Sequence, residues 1–348
     1  MAISEADVRE ALKKVKFPGL TRDIVSFGFV RGVRVEGDAV AVEIAMTTAN
    51  PQAGEAVERE ARAILEALPG VREVKLDCAV QGPQNAPAAA PPRRSLPGVR
   101  YKVAVASGKG GVGKSTVAAN LALALQRGGA TVGLLDADIY GPSQQMMMGC
   151  ADKPRVNAAE KILPVAGNGV AVMSLGFLMD PDQPVIWRGP MVMKALQQFI
   201  EDVEWGTLDY LVVDLPPGTG DAQLTITQEV PLDGAVIVTT PQDVALIDAR
   251  KGLAMFQKVN VPVLGMIENM SSFVCPHCGE RSEIFKHGGG RRTAEQLGVP
   301  FLGDIPIDPA IVLGGDAGTP IVASHPDSAA AKAFLEVAAA VRQQVERR

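Results

Sequence analysis

The sequence predicts an α/β protein in which a mainly parallel sheet, flanked by helices, follows a small α+β domain. After residue 100, short β-branched runs alternate with helix-like segments, which is typical of βαβ crossovers and a parallel sheet covered on both faces. Before residue 80, the predicted order αββαβ indicates a separate module with its own core. Residues 81–99 are rich in proline and alanine and predict a semi-rigid, extended linker. We therefore expect two domains, over residues 1–80 and 100–348.

The composition narrows the class of protein. The 348 residues are 47% hydrophobic and 21% charged, which allows a large core, and the net charge of −5 argues against a general binder of nucleic acid or anionic membranes. The N-terminal residues are polar and unlike a signal peptide, and no run is long enough to span a bilayer. These features predict a cytoplasmic protein that has no nucleic-acid or membrane partner.

The elements of the first module follow from caps, alternation and turn residues. Ser4 is a good N-cap, so we expect a helix over 4–16. The Glu-Gly-Asp segment at 36–38 separates two alternating runs, which predicts a hairpin. The second helix is expected to start after Pro51 and to stop at Pro69-Gly70. The predicted bounds are Phe27–Val35 and Ala39–Met46 for the hairpin strands, Gln52–Leu68 for the helix and Val71–Ala79 for the last strand.

The second domain alternates strands and helices from residue 103 to its end. The predicted strands after the first are Thr131–Leu135, Val170–Leu175, Leu208–Asp214, Gly234–Thr240, Pro262–Ile267 and Val299–Gly303. The predicted helices include Met191–Asp202, Ala222–Glu229, Val244–Val259 and Ser328–Val345. The last of these is rich in alanine and lacks the bulky apolar face of a membrane-targeting helix, so we expect it to pack on the domain. Ligands of such sheets bind beyond the carboxyl ends of the strands.

A glycine-rich loop between a strand and a helix is the strongest chemical signal in the chain. The strand from Val103 leads into Gly108–Gly113, and Lys114-Ser115-Thr116 opens a helix of small apolar residues. Glycines let backbone N–H groups turn toward phosphate oxygens, and the helix N-terminus adds partial positive charge. The spacing satisfies the P-loop pattern, so Lys114 is expected on the β and γ phosphates of ATP and Ser115 on Mg²⁺. The domain is therefore predicted to be a P-loop NTPase.

Three further strand ends carry residues suited to a nucleotide site. One strand leads into Asp136 and Asp138, where two carboxylates before a Gly-Pro turn are consistent with a switch loop. Another ends at Asp214, the Walker B position for Mg²⁺, and is followed by glycines that include Gly218. A third ends just before Asn269, whose amide is both a donor and an acceptor. The predicted ATP and Mg²⁺ site comprises Gly108, Lys109, Gly110, Gly111, Val112, Gly113, Lys114, Ser115, Thr116, Asp136, Asp214, Gly218 and Asn269.

The segment Cys275-Pro-His-Cys278-Gly predicts a metal knuckle, because the glycine permits a tight turn around a metal. A four-thiolate site needs two such pairs, and Cys78 and Cys150 are not spaced as a second pair. A two-fold dimer that contributes two thiolates per chain is the simplest solution. Such a site suits zinc or a [4Fe–4S] cluster, and His277 between the two thiols is expected to be a bystander.

The glycine loop resembles the deviant Walker A motif of the ATPase class that includes the Min, Par, arsenite-pump and nitrogenase-reductase proteins, because Lys109 lies inside Gly-Lys-Gly-Gly-Val-Gly-Lys-Ser. The resemblance implies that Lys109 reaches across a dimer to the partner's nucleotide. It implies that Asp138 orients or activates the attacking water, while Asp136 supports the Mg²⁺ shell or the P-loop. It also implies that Asn269 recognises adenine. The expected catalytic residues are accordingly Lys109, Lys114 and Asp138.

Over about residues 1–340, the chain is similar to the Mrp/ApbC family of ATP-binding iron–sulfur cluster carriers. The similarity rests on the P-loop, on segments 136–143, 187–194 and 214–221, and on the cysteine pair. It implies a homodimer that holds a [4Fe–4S] cluster at the paired cysteines, takes it from a cluster-assembly scaffold and passes it to apo iron–sulfur proteins, with slow ATP hydrolysis. The first module resembles the FSCA-type domain of iron–sulfur assembly proteins through Thr47–Pro51, although Asn50 stands where some members carry a reactive cysteine.

Two other functions remain open from the sequence. The chain could be a positioning or partition switch like the Min and Par proteins, which bind membrane or DNA, although its acidic charge and its Cys-x-x-Cys pair count against that. The cysteines could instead hold a structural zinc at a dimer interface. Sedimentation with lipid or DNA tests the first alternative, and anaerobic reconstitution with iron and sulfide tests the second.

Overall fold

A computed structural model describes residues 3–16, 23–47, 51–81, 96–179, 189–275 and 277–348. The chain divides into two compact units, Met1–Pro91 and Pro92–Arg348, and each has its own hydrophobic core. Residues 82–95, which hold most of the predicted linker, lie outside the described residues, as do Asn50 and Trp187, which contributed to the resemblances.

The first unit is a three-stranded sheet packed against two helices. Its elements are α1 (Glu5–Leu12), β1 (Val30–Glu36), β2 (Ala39–Thr47), α2 (Pro51–Glu66) and β3 (Glu73–Gln81). β2 lies in the middle, antiparallel to β1 and parallel to β3. Alternate residues of β2 (Val40, Val42 and Ile44) are buried in the core with Leu12 of α1 and Leu65 of α2, as the period of two predicts. The αββαβ order is confirmed.

The first strand starts later than the sequence predicts, at Val30 rather than Phe27. The Asp23 carboxylate accepts hydrogen bonds from the backbone N–H groups of Val25 at 3.0 Å and Ser26 at 2.7 Å. This side-chain turn folds the segment before the strand, a conformation that aspartate favours. The predicted start at Phe27 was wrong because this apolar residue belongs to the turn that precedes the strand.

The second unit contains the remaining strands and helices. Its strands are β4 (Val99–Ser107), β5 (Val132–Asp136), β6 (Arg155–Val156), β7 (Ile162–Leu163), β8 (Val165–Gly167), β9 (Val170–Ser174), β10 (Leu208–Asp214), β11 (Gly234–Thr239), β12 (Val263–Glu268), β13 (Phe273–Val274), β14 (Arg281–Ser282) and β15 (Phe301–Asp304). Its helices are α3 (Lys114–Arg127), α4 (Gln144–Met147), α5 (Gly189–Glu201), α6 (Asp221–Glu229), α7 (Asp243–Lys258), α8 (Gly289–Leu297), α9 (Pro309–Asp316), α10 (Ile321–Ser324) and α11 (Ala329–Glu346).

Eight strands form the central sheet in the order β15-β12-β11-β4-β10-β5-β9-β8. All neighbours are parallel except the edge strand β8, which is antiparallel to β9, so the mainly parallel sheet is confirmed. Both faces are covered, which explains the continuous apolar runs. Val103 and Val105 of β4 pack with α3 and α11, while Ala104 and Ala106 pack with α5, α6 and α7 on the other face. The carboxyl ends of β4, β5, β10 and β12 consequently meet at one edge.

The last helix packs on the second unit, as the sequence predicts. Ser328 caps α11 by accepting a hydrogen bond from the Ala331 N–H at 3.1 Å. Phe334, Val337 and Val341 are buried in the core layer that contains α3. Within the described part of the chain, no helix combines the length and the apolar character needed to cross a bilayer.

Helix α8 was not predicted, because its first turn contains two glycines, which disfavour helix. The fold requires them. A Cβ at Gly289 would come within 2.7 Å of the Pro241 carbonyl oxygen, and a Cβ at Gly290 would press on Glu268 at 3.0 Å. The glycines therefore allow α8 to start close against the ends of β11 and β12.

Candidate nucleotide site and cysteine loop

The loop between β4 and α3 borders a cavity of about 230 Å³. Gly111 and Gly113 both have a φ of +78°, a conformation that side-chain-bearing residues rarely adopt, and a Cβ at Gly108 would overlap the backbone of Asp248 in α7. Typical ligand pockets measure about 300–1,000 Å³, so this volume suits a phosphate chain rather than a whole nucleotide. The cavity is lined by Ser107, Lys109, Gly110, Gly111, Gly113, Lys114, Ser115, Thr116, Asp138 and Pro217.

Lys114 lies at the base of this cavity and is only 6% exposed. Its Nζ forms a short ion pair with Asp214, lies 3.3 Å from Asp138 Oδ2 and donates to Ser115 Oγ at 3.2 Å. Burial lowers the pKa of Lys114, but the charges of Asp214 and Asp138 raise it more, so the side chain stays an ammonium ion. Lys114, the cation that is predicted to bind the phosphates, is therefore buried, charged and held by two carboxylates.

Asp138 forms part of the cavity wall and is nearly buried. Its Oδ1 accepts a hydrogen bond from the Tyr140 N–H at 3.2 Å, and its Oδ2 faces Lys114. The carboxylate is thus held within reach of the space that phosphates would fill. Its role toward water stays a prediction.

Asp136 is fully buried and holds the loop that follows β5. Its carboxylate accepts four hydrogen bonds of 2.9–3.1 Å from the backbone N–H groups of Asp138, Ser143 and Gln144 and from the Ser174 hydroxyl. Burial and then the charge of Asp214 raise the pKa of Asp136 to about 7, against the lowering effect of these hydrogen bonds. Its described hydrogen bonds therefore go to the loop after β5 and to β9, whereas the resemblance implied the Mg²⁺ shell or the P-loop.

Gln144 joins the site although sequence analysis missed it. Its side chain has no exposed surface, and its Nε2 donates to Asp214 Oδ2 at 2.8 Å and to the Ser115 carbonyl at 2.9 Å. Its Oε1 is buried and has no hydrogen-bond partner in the described structure. An unpaired buried acceptor inside a site calls for a donor, and the waters that Mg²⁺ retains are such donors. Because Ser115 and Asp214 also offer oxygen ligands nearby, these residues fit a bound magnesium ion.

Gly218 lies where the chain leaves β10 and passes the P-loop. Its φ is +94°, and its N–H donates to the Ser107 carbonyl at 2.9 Å. Pro217, three residues after Asp214, borders the same cavity as the P-loop. The predicted switch segment is thus in contact with the end of β4.

Asn269 follows β12 and is 5% exposed. Its Nδ2 donates to the Val112 carbonyl at 2.9 Å, and its backbone N–H donates to the Thr239 carbonyl at 2.8 Å. A Cβ at Gly113 would collide with this amide. Asn269 is therefore placed against the P-loop, and its contact with adenine stays a prediction.

The two cysteines of the Cys-x-x-Cys segment lie on a hairpin loop between β13 and β14. The Cys275 N–H donates to the Glu280 carbonyl and the Gly279 N–H donates to the Cys275 carbonyl, both at 2.9 Å. Hydrogen bonds from the backbone N–H groups of Cys278 and His277 and from the Cys278 side chain lower the pKa of Cys275. Such donors stabilise a thiolate, which is the form that binds metal.

The loop alone offers too few ligands for a closed metal site. Among the described residues, no group of three or more His, Cys, Asp and Glu side chains is arranged to hold a metal ion. Cys278 is exposed and Cys275 partly so. By contrast, burial raises the pKa of Cys150 to about 11 and, with Glu58 and Asp77, also raises the pKa of Cys78. The paired thiols thus differ chemically from the other two.

A short, anchored segment connects Asn269 to the cysteine loop. Ser271 donates its N–H to the Ile305 carbonyl at 3.0 Å and its hydroxyl to Asp304 at 3.0 Å. The Ser272 carbonyl accepts a hydrogen bond from the Ile307 N–H at 2.6 Å. The contact with the P-loop and the start of β13 are therefore held by the same stretch of chain.

Comparisons with known proteins agree with this architecture. Residues 98–342 match the ParA family, described as NUBPL iron-transfer P-loop NTPase, and residues 5–76 match a family of iron-sulfur cluster assembly proteins. The iron-sulfur cluster carrier protein of Synechocystis is 46% identical over 97% of both chains, and that of Deinococcus radiodurans is 48% identical over 96% of this chain and 94% of its own. The mouse iron-sulfur cluster transfer protein NUBPL is 50% identical over 74% of this chain and 81% of its own.

Solved structures show the same likeness. A nucleotide-binding protein from Archaeoglobus fulgidus, solved in complex with ADP, is 41% identical with a TM-score of 0.58 and covers 64% of this chain and 88% of its own. The cell division ATPase MinD from Pyrococcus furiosus is 26% identical with a TM-score of 0.54 and covers 70% of this chain and 98% of its own.

Proposed function

The chain belongs to the Mrp/ApbC-type family of iron–sulfur cluster carriers, ParA-like P-loop NTPases with an N-terminal iron–sulfur assembly domain, and we propose that it carries a [4Fe–4S] cluster between the cysteine pairs of two chains under the control of ATP. The observation that carries the proposal is the cysteine loop. It presents one thiol stabilised by backbone N–H groups and a second that is exposed, with no third ligand in the described residues.

ATP would bind with its phosphates in the P-loop cavity. The β and γ phosphates would draw Lys114 away from Asp214 and Asp138, because they offer it a denser negative charge. Asp214, through water, and the Ser115 hydroxyl would then hold Mg²⁺, which neutralises charge on the phosphates when bound. The buried carboxylates that hold Lys114 in the structure thus become free for their own roles when nucleotide arrives.

Hydrolysis would depend on Asp138 and Lys109. Asp138 lies in the cavity wall, so a water beside the γ phosphate can be oriented by its carboxylate once Lys114 has moved. Lys109 is half-buried on the same wall, and Ser107 holds its carbonyl through a 2.9 Å hydrogen bond. Its ammonium group would reach the partner chain's nucleotide, which makes hydrolysis depend on the homodimer.

The cluster would bind where two cysteine loops meet. A [4Fe–4S] cluster takes four thiolates, and each chain supplies Cys275 and Cys278. Because both thiols lie on a short exposed hairpin, few contacts other than the partner chain would protect the cluster. A shared, accessible site of this kind releases its cargo more readily than a buried one, which suits transfer to apo iron–sulfur proteins after loading by an assembly scaffold.

Nucleotide state would reach the cluster through the segment that follows β12. Asn269 contacts the P-loop carbonyl of Val112, and six residues later the chain reaches Cys275. A nucleotide that moves the P-loop or engages the Asn269 amide therefore biases the hairpin position, and with it the spacing of the cysteine pairs. Loading and release would then belong to different nucleotide states.

The test is cluster transfer under anaerobic conditions. Protein reconstituted with iron and sulfide should show the visible absorption of a [4Fe–4S] cluster and should restore the activity of an apo [4Fe–4S] enzyme, at a rate that changes with ATP. Protein that takes up only zinc, with no loss of zinc in the presence of iron and sulfide, would contradict the proposal and indicate a structural site. Sedimentation with lipid vesicles or DNA in the presence of ATP should show no binding.

A further inference from the structure

Gln144 is a buried polar side chain that the roles proposed above leave without a function. It opens α4 immediately after the loop that carries Asp138. Both protons of its amide are used, one on the Asp214 carboxylate and one on the Ser115 carbonyl. Both acceptors belong to residues expected to bind Mg²⁺, so the amide lies at the centre of the metal-binding region.

The two oxygens of Asp214 have different partners. Oδ1 pairs with Lys114, and Oδ2 accepts the hydrogen bond from Gln144. Lys114 is the partner that phosphates would attract away. Gln144 would then be the described side chain that still holds the carboxylate, and a carboxylate held at one oxygen keeps the other aimed in a fixed direction.

Gln144 also ties the loop after β5 to this carboxylate. Its backbone N–H donates to Asp136 Oδ2 at 3.0 Å, and the N–H of Ser143 donates to the same oxygen at 2.9 Å. One residue thus connects the P-loop, the end of β10 and the loop that carries Asp138. A change at the metal site that moves the Asp214 carboxylate reaches that loop through the Gln144 side chain, beside the backbone hydrogen bond that the Ala137 N–H donates to the Asp214 carbonyl at 2.9 Å.

The unpaired oxygen of the amide adds a second observation. Gln144 Oε1 is buried and accepts no hydrogen bond in the described structure, which is unfavourable unless a donor arrives with a ligand. We propose that Gln144 is a positioning residue for Mg²⁺, which holds Asp214 in place and links metal binding to the loop that carries Asp138. The proposal rests on the proposed function, since it requires a magnesium nucleotide at the P-loop.

The test compares ADP binding with and without Mg²⁺ by calorimetry, in the full-length protein. Gln144→Leu keeps the volume of the side chain but removes both donors and the acceptor. We expect its affinity for ADP without Mg²⁺ to stay within about twofold of wild type, and the gain in affinity on adding Mg²⁺ to fall about tenfold, the loss typical of a hydrogen bond to a charged group. The matched control is Gln145→Leu, because the Gln145 amide bonds to Ser174 and the Pro142 carbonyl rather than to Asp214.

The outcomes separate this proposal from the proposed function. An equal gain from Mg²⁺ in wild type, Gln144→Leu and Gln145→Leu would overturn the positioning role while leaving the nucleotide site intact. A wild-type protein that binds no ADP, or gains nothing from Mg²⁺, would overturn both. If Gln144→Leu does not fold, Gln144→Asn replaces it: its shorter amide cannot span both acceptors, and an undiminished gain from Mg²⁺ in that variant would also overturn the proposal.

Discussion

The nucleotide site and the cysteine loop differ in how much of each site one chain contains. In the nucleotide site, Lys114, Asp136 and Asp214 are almost completely buried, and each is held by several partners of the same chain. In the cysteine loop, backbone N–H groups hold one thiol and the other is exposed. The first site is built before its ligand arrives, whereas the second, in the function proposed above, is half of a site that a partner chain completes.

The difference follows from the free-energy cost of burying charge. Buried ions are tolerated only when paired and hydrogen-bonded, so the residues of the nucleotide site contribute to folding as well as to binding. An exposed thiol pair is solvated and contributes little to stability. Breaking the buried Lys114–Asp214 ion pair of the first site should therefore change both stability and nucleotide binding, and substitutions of the thiols in the second should change the cargo alone.

The largest effect is expected for Lys114→Ala. It removes the cation for the phosphates and leaves Asp214 buried without its counter-ion. ATP affinity should fall at least about 100-fold, and the free energy of unfolding should fall by about 3–5 kcal/mol, as for other broken buried ion pairs. Calorimetry and chemical denaturation measure the two effects, with the exposed Lys153→Ala as control. Wild-type ATP affinity in the variant would remove Lys114 from the phosphate site.

The cysteine loop should give the opposite pattern. Cys275→Ala and Cys278→Ala should each eliminate the reconstituted cluster, because each substitution removes one thiolate per chain and leaves only two of the four in a dimer. ATP affinity and the unfolding free energy should change by less than about 0.5 kcal/mol, as at other exposed sites. Cys78→Ala and Cys150→Ala serve as controls and should keep the cluster. A Cys275→Ala protein that still carries and transfers a cluster would place the site elsewhere.

Asp138→Ala should separate hydrolysis from binding. The carboxylate borders the cavity without being needed for the phosphates, so ATP affinity should stay near wild type. The turnover rate should fall by about 10²–10⁴-fold, the usual contribution of a positioned acid or base. Steady-state phosphate release and calorimetry on the same preparation measure both quantities. A loss of binding with no separate loss of rate would instead assign Asp138 to the metal shell.

The smallest effect concerns pH and Asp136. Its pKa of about 7 in the folded chain lies above the ordinary value of 3.8, so the folded state holds this proton more tightly than the unfolded state. The contribution to stability is therefore present below pH 4 and is lost as the pH rises through 7. Relative to Asp136→Asn, wild type should lose about 2–3 kcal/mol of unfolding free energy between pH 5 and 7, at about 1.4 kcal/mol per pH unit. Parallel pH profiles for the two proteins would show that Asp136 does not titrate there.

Local patterns account for the parts of the molecule that could be predicted. The apolar runs of β4, β5 and β10, the glycines of the P-loop and the carboxylates at strand ends are encoded in consecutive residues, and the parallel sheet then brings those strand ends to one edge. Ser328, which caps the N-terminus of α11, predicts the start of that helix in the same way. For such elements, the sequence signal and the physical cause are the same few residues.

What could not be predicted depends on contacts between distant segments. Gln144 and Asp214 are 70 positions apart, and no local pattern marks an amide as the partner of a remote carboxylate. Helix α8 begins with two glycines that allow close packing against Pro241 and Glu268, and these contacts form only in the folded chain. The two-residue strands β13 and β14, which form the cysteine hairpin, are too short for an alternating pattern.

The most direct test of the difference between the two sites is to count both ligands on one sample. Protein reconstituted anaerobically and saturated with a non-hydrolysable ATP analogue should be analysed for iron, sulfide, nucleotide and protein, with its mass in solution measured in parallel. A nucleotide site contained in one chain and a cluster site shared by two predict one nucleotide per chain and one [4Fe–4S] cluster per dimer. One cluster on each monomeric chain would contradict a cluster site that two chains share. One nucleotide per dimer would contradict a nucleotide site that one chain contains.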